Sequence, residues 1–176
     1  GDLHSSPPRR SSDLEWPDLS DAALLASLET WLAPWMPGMS RISHLERLPL
    51  NDALMGFMDH QQRRALEEFA PSHIKVPSGS DIRVDYAEGD TPVLRVRVQE
   101  LFGLADTPRL AKGRVPVMLH LLSPAQRPVQ VTQDLKGFWQ RTWPEVKKEL
   151  KGRYPKHNWP EDPLTAPASR GARKRR

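Results

Sequence analysis

Cysteine is absent from the 176 residues. That removes a disulfide framework, a thiolate zinc site and a cysteine nucleophile, and it leaves the redox compartment unreadable. No stretch approaches the ~18 consecutive apolar residues of a membrane span. The polar, proline-containing start, Gly1 to Ser12, does not read as a secretory signal. The body of the chain also lacks a surplus of basic charge. There are 26 Lys+Arg against 22 Asp+Glu, yet Leu164 to Arg176 holds Arg170, Arg173, Lys174, Arg175 and Arg176 and no acid. Without that segment 21 bases face 22 acids, so the basic isoelectric point belongs to a tail.

Proline and tryptophan are plentiful, with 18 and 6 copies. The spacing of apolar residues changes several times along the chain. Residues 1–16, with Ser5, Ser6, Pro7, Pro8, Arg9 and Arg10, read as a disordered linker. Residues 17–72 read as a helical segment. Ser20 caps a helix carrying Leu24, Leu25, Leu28, Trp31 and Leu32, Ser43 and Glu46 form a capping box, and Asp59 with Gln62 opens a third helix. Residues 73–131 alternate with period two. Ile82, Val84 and Tyr86 are interleaved with Arg83 and Asp85, and Leu94, Val96 and Val98 with Arg95 and Arg97, while Val117 to Leu122 reads as a central strand. These features predict a small antiparallel OB-like β-barrel or curled sheet. Residues 132–163 read as basic helices followed by an extended Pro-rich arm, with Thr132 and the Thr142–Glu145 box as helix starts and Gly152 as a stop. Residues 164–176 read as a disordered basic tail. The expected fold class is therefore α+β.

Charge divides by region. Residues 13–72 hold four bases and ten acids, and residues 73–135 hold eight and seven. Residues 136–157 hold seven bases, Lys136, Arg141, Lys147, Lys148, Lys151, Arg153 and Lys156, against Glu145 and Glu149. Clustered solvated cations suit phosphates, because each neutralised phosphate releases a counterion. Tyr154, Trp143 and Trp159 lie nearby as surfaces on which single-stranded bases could stack. Arg95 and Arg97 on the outer strand face form a second candidate contact, with Asp85 and Glu88 close enough in sequence to pair with them instead. The competing reading makes the lysines the wet face of an amphipathic helix and the aromatics part of the core.

No catalytic constellation stands out. The six histidines have no metal-ligand spacing, Ser78-Gly79-Ser80 reads as a turn, and no phosphate-binding Gly-x-x-x-x-Gly-Lys-Ser/Thr loop exists. Neither a metal nor a nucleotide cofactor is expected on this chain.

Several blocks carry a resemblance. They are Ala70-Pro71-Ser72-His73-Ile74-Lys75-Val76-Pro77-Ser78-Gly79-Ser80, Gln99 to Arg109, Leu119 to Ala125, Val129 to Leu135 with Phe138-Trp139, Glu145 to His157, and Trp159 to Pro163. In this order they resemble the C-terminal region of the HrpB-type bacterial DEAH-box ATP-dependent helicases, over about residues 20 to 163. Asp81, Trp143 and Asn158 depart from the family pattern. The resemblance implies a parent protein that hydrolyses ATP with magnesium and acts on nucleic acid, RNA ahead of single-stranded DNA. It places the RecA-like motor upstream in the same polypeptide, and it implies a cytoplasmic location with no membrane partner. The expected role is an accessory domain that contacts nucleic acid or clamps the motor. The alternative is a protein-interaction module docking on the helicase core or on a partner.

Overall fold

A computed structural model describes residues 16–172. Most of the linker expected over residues 1–16, and the last four residues of the expected tail, lie outside the described residues. The described residues separate into two compact units that divide between Leu66 and Glu67.

The first unit is built from short pieces. Ser20 caps α1 (Asp21–Ala26) by accepting from the Ala23 amide at 3.3 Å. The helix expected to continue through Leu32 breaks at Ser27, whose hydroxyl donates back to the Ala23 carbonyl at 2.8 Å. Such back-bonding competes with the helical ladder, and α2 (Leu28–Trp31) follows as a separate turn. Ser43 sits inside a 3-10 stretch, Ile42–Arg47, with no side-chain cap. The expected capping box does not form there. After α3 (Leu50–Met55), Asp59 and Gln62 make the reciprocal box that opens α4 (His60–Phe69). Gln62 N–H donates to Asp59 Oδ1 at 2.7 Å, and Asp59 N–H donates to Gln62 Oε1 at 2.9 Å. Among the described residues of this unit only Ala53 and Met58 are buried.

The second unit has a true core. Its main sheet runs β1 (His73–Lys75), β2 (Asp81–Asp85), β3 (Val93–Arg97), β6 (Met118–Leu122), β7 (Pro128–Thr132), in that spatial order. A separate ribbon pairs β4 (Arg109–Leu110) with β5 (Val115–Pro116). The sheet is open, with β1 and β7 as its edges, so of the two expected forms, a barrel or a curled sheet, the closed barrel does not form among the described residues. It is also mixed. β3 and β6 pair in parallel, with Leu94 opposite Leu119 and Val96 opposite Leu121. The physical reason is the connection between them. Residues 98–117 fold into a buried 3-10 turn, Val98–Leu101, and the β4–β5 ribbon, which is long enough to return the chain for a parallel partner.

The helical run after β7 closes the core. It consists of α5 (Leu135–Gly137), a π-helical turn (Phe138–Thr142) and α6 (Trp143–Arg153). Its start is Asp134, whose Oδ1 accepts from the Gly137 amide at 2.9 Å, and not Thr132 as expected. Thr142 already has helical dihedrals and caps nothing, and α6 runs through Gly152 to Arg153. Phe102 lies edge-on to Trp143 at 5.6 Å between ring centres, and Trp139 meets Trp143 at 5.5 Å. These rings join Leu94, Val96, Leu119 and Leu121 in one cluster.

Residues 164–172, expected as a disordered tail, lie along this core. Ser169 N–H donates to the Gln99 carbonyl at 3.1 Å, and Ala166 and Ala168 pack against the cluster. Small apolar side chains and a backbone bond hold a segment that charge and proline content alone would release.

Candidate nucleic-acid interface

The run from Leu135 to Arg153 presents two faces. Leu135, Phe138, Trp139, Trp143, Val146 and Leu150 are buried, and the positions between them carry the charges. Asp134 fixes the beginning. Besides capping Gly137, its Oδ2 lies 3.1 Å from Arg141, and these contacts, the Gly137 amide foremost, hold its carboxyl below the usual range. Gly137 leaves room for this pair, since a Cβ there would displace the Asp134 carboxylate and the Arg141 guanidinium from their contact. Thr107 supports the same corner, its hydroxyl accepting from the Leu135 amide at 2.9 Å and donating to the Gln133 carbonyl at 2.6 Å.

The seven expected cations do not form one uniform patch. Lys147 is folded down, its side chain 15% exposed and its Nζ 2.5 Å from Glu161, whose carboxyl it holds low. Lys148 with Glu145 at 3.6 Å, Arg153 with Glu149 at 3.8 Å and Arg141 with Asp134 are open surface pairs, easily exchanged for another anion. Lys136, Lys151 and Lys156 are exposed and make no ion pair among the described residues.

The strand arginines are differently placed. Arg95 is held by Asp85 at 2.9 Å and Glu88 at 2.6 Å, and the hydrogen bond to Asp85 raises its already high pKa. Arg97 donates from Nε to Glu100 Oε2 at 3.2 Å, and the Glu100 side chain is only 3% exposed. Ser78 and Ser80 hydroxyls donate to the other carboxylate oxygen at 2.9 and 2.5 Å. Arg97 is thus tied into a polar knot within the fold. Sequence reasoning missed this knot. Glu100 follows a strand and looks like surface charge, and nothing local marks the return of residues 78–80 onto it.

The aromatics divide as well. Trp143 is 2% exposed and its Nε1–H donates to the Pro160 carbonyl at 3.1 Å, so a base could reach its ring only by opening the core. Tyr154 and Trp159 are half-buried. Trp159 Nε1–H donates to the Tyr154 carbonyl at 2.8 Å, the Tyr154 hydroxyl lies 3.2 Å from Ser123 Oγ, and His157 sits between the two rings.

A polar cleft of about 420 Å³ lies at the start of the helical run, lined by Asp106, Thr107, Arg109, Gln133 and Asp134. Its residues come from two distant loops, a proximity that sequence spacing does not report. Among the described residues no group of three or more His, Asp or Glu could hold a metal ion, and no helix is long and apolar enough to cross a membrane.

Comparison with known proteins adds a separate line of observation. Residues 31–163 match the family described as ATP-dependent helicase C-terminal, HrpB_C. The chain is 50% identical over 159 residues to the ATP-dependent RNA helicase HrpB of Escherichia coli strain K12, covering 90% of this chain and 20% of that protein. A crystal structure of the E. coli DExH-box NTPase HrpB superposes with a TM-score of 0.78 at 50% identity, over 90% of this chain and 20% of the other. A crystal structure of the Escherichia coli DEAH/RHA helicase HrpB gives 0.64 at 47% identity, over 83% and 18%. The chain therefore spans about one fifth of the length of the relatives it matches.

Proposed function

The chain belongs to the HrpB-type ATP-dependent helicase C-terminal family, and on that footing we propose that it is an accessory module that contacts single-stranded nucleic acid beside a helicase motor. The observation that supports this most is the wet face of the Leu135–Arg153 run and the segment after it. There Lys136, Lys151 and Lys156 carry no ion pair among the described residues, and Arg141, Lys148 and Arg153 have only open surface partners. Such a surface tracks a phosphate backbone without reading bases. Tyr154 and Trp159 sit at the end of the cationic face as half-buried rings, and in this reading a base stacks on their open side.

In this reading ATP and magnesium are held by a motor elsewhere in a longer, cytoplasmic polypeptide, and this chain supplies no hydrolytic step. RNA is the preferred ligand because the curated relative is named as an RNA helicase. The test is binding of labelled single-stranded RNA and DNA oligonucleotides to the whole chain and to the Lys136→Gln, Lys151→Gln, Lys156→Gln triple variant. Equal affinity of wild type and variant would remove this face from the reading.

A second reading, docking on the motor or on a partner protein, draws support from the first unit. Its described residues leave Trp16, Leu25, Trp35 and Ile42 exposed, Ile42 by 85%. A segment with so little core of its own gains by being covered. Retained binding of the triple variant, together with oligonucleotide-independent association with the motor, would favour this second reading.

A further inference from the structure

The segment after Pro163 lies over the Val98–Leu101 turn and is held there by few bonds. Gly103 N–H donates to the Pro163 carbonyl at 2.8 Å, and Ser169 N–H donates to the Gln99 carbonyl at 3.1 Å. Between these two points Ala166 and Ala168 rest on the core. Gly103 supplies the φ of +90° that a side chain would disfavour, and its Cα faces the Leu164 carbonyl oxygen, which an added Cβ would meet in ordinary contact at 3.8 Å. Near the other end, the Arg170 guanidinium would stand 3.3 Å from a Cβ added at Gly79.

Two polar groups in this region lack partners. Gln99 is 1% exposed, and both its side-chain oxygen and its side-chain nitrogen make no hydrogen bond. His157 Nδ1 is likewise buried and unpartnered. Natural cores rarely leave such atoms unpaired, because each forfeits its bonds to water without replacement. Here the unpaired atoms lie at the contacts of the segment itself. Its Ser169 bonds the backbone of Gln99, and its Gly171 backbone lies close enough to His157 to act on the charge of the ring.

We propose that residues 163–172 form a releasable latch over the Val98–Leu101 turn, shut by two backbone hydrogen bonds and biased toward opening by the unsatisfied side chains of Gln99 and His157. Opening returns both side chains to water and uncovers an edge of the turn that the latch conceals. It also frees Arg170, which leads into the basic run Arg173 to Arg176.

Protonation of His157 acts in the same direction. In the closed form burial, and then the Arg97 guanidinium, lower the pKa of the imidazole, against the nearby Gly171 backbone, which raises it. A proton on Nδ1 would find no acceptor. The charged and titratable groups that act on this ring are Arg97, itself paired with Glu100, and Tyr154 at the end of α6, while Arg170 of the latch lies toward Gly79. A histidine whose closed-state pKa is depressed favours closure above its ordinary value and loses that preference as pH falls below it. The latch is therefore tighter at neutral than at mildly acidic pH.

The experiment is amide hydrogen exchange on the whole chain between about pH 7.5 and 5, corrected for intrinsic exchange and read at Ser169 and Gly103. Protection at these amides is expected to fall by up to about tenfold per pH unit as pH drops from the ordinary histidine value toward the lowered closed-state one, and then to level off, while Leu119 and Leu121 in the sheet keep theirs. His157→Phe, which keeps a ring between Tyr154 and Trp159, is expected to abolish the pH dependence. Gln99→Met, and Gln99→Leu as a second apolar replacement, are expected to raise Ser169 protection at every pH. Latch protection independent of pH in the wild type would overturn the proposal, as would protection unchanged or reduced in both Gln99 variants.

Discussion

Arg97 and Glu100 are partners inside the fold, Nε to Oε2 at 3.2 Å, with the carboxylate almost wholly withdrawn from water. This pairing turns a residue that looks like a phosphate ligand into a structural one. Arg97→Ala leaves Glu100 buried with only the Ser78 and Ser80 hydroxyls, and it is expected to cost about 2–3 kcal/mol, the range for a hydrogen bond to a charged group. The check is a lower urea midpoint with unchanged slope. Affinity for an oligonucleotide should not change in the folded variant.

The free and the spent cations can be told apart by salt. If Lys136, Lys151 and Lys156 each meet a phosphate, replacing all three by Gln reduces the slope of log K against log salt by about 2 for a single strand. Replacing Lys147, already bound to Glu161, should leave that slope nearly untouched. A titration of oligonucleotide binding from low to moderate salt reads both.

Trp143 and Trp159 are expected to fail in different ways. Trp143→Ala empties a site packed by Phe102, Trp139 and Trp159 and is expected to cost about 3–5 kcal/mol of stability. Trp159→Ala removes a half-buried ring at the end of the cationic face. Its predicted effect is weaker binding of single strands by the folded chain, measured beside a thermal melt that separates affinity from folding.

Asp134 gives the helical run an acid-sensitive start. Its carboxyl pKa is lowered, foremost by the Gly137 amide and then by Arg141, so its contribution is present above the ordinary aspartate value and disappears as pH falls through the lowered one. The expected result is fraying at Leu135 to Gly137 below about pH 4, seen as faster exchange of the Gly137 amide. Asp134→Asn keeps a capping oxygen but does not titrate, and should flatten that response.

Much of this molecule was legible from local pattern. Leu94, Val96 and Val98 alternate with Arg95 and Arg97 in the sequence, and the first three are buried while Arg95 is exposed. The Asp59–Gln62 box could be read because both partners lie within one turn. Thr142 and Glu145 match the same pattern and misled, because a spacing rule cannot distinguish the start of a helix from the middle of one that began at Leu135. The parallel pairing of β3 with β6 was hidden for a related reason. Turn chemistry describes neighbours in sequence, and these strands are joined across residues 98–117. At the candidate site the lysines were visible and their partners were not. Glu161 reaches Lys147 from beyond the end of α6, and the burial of Trp143 depends on Phe102, forty-one residues earlier.

The parallel β3–β6 pair also bears on how the chain reaches its fold. Each hairpin flanking it, β2–β3 and β6–β7, closes through a short loop and can form early. Val93 and Met118, in contrast, meet only after the intervening crossover has been laid down, so the sheet is assembled from two halves whose joining carries the largest single loop-closure cost of the three. A substitution that loosens the Val98–Leu101 turn should therefore slow refolding more than one of equal destabilisation in either hairpin loop.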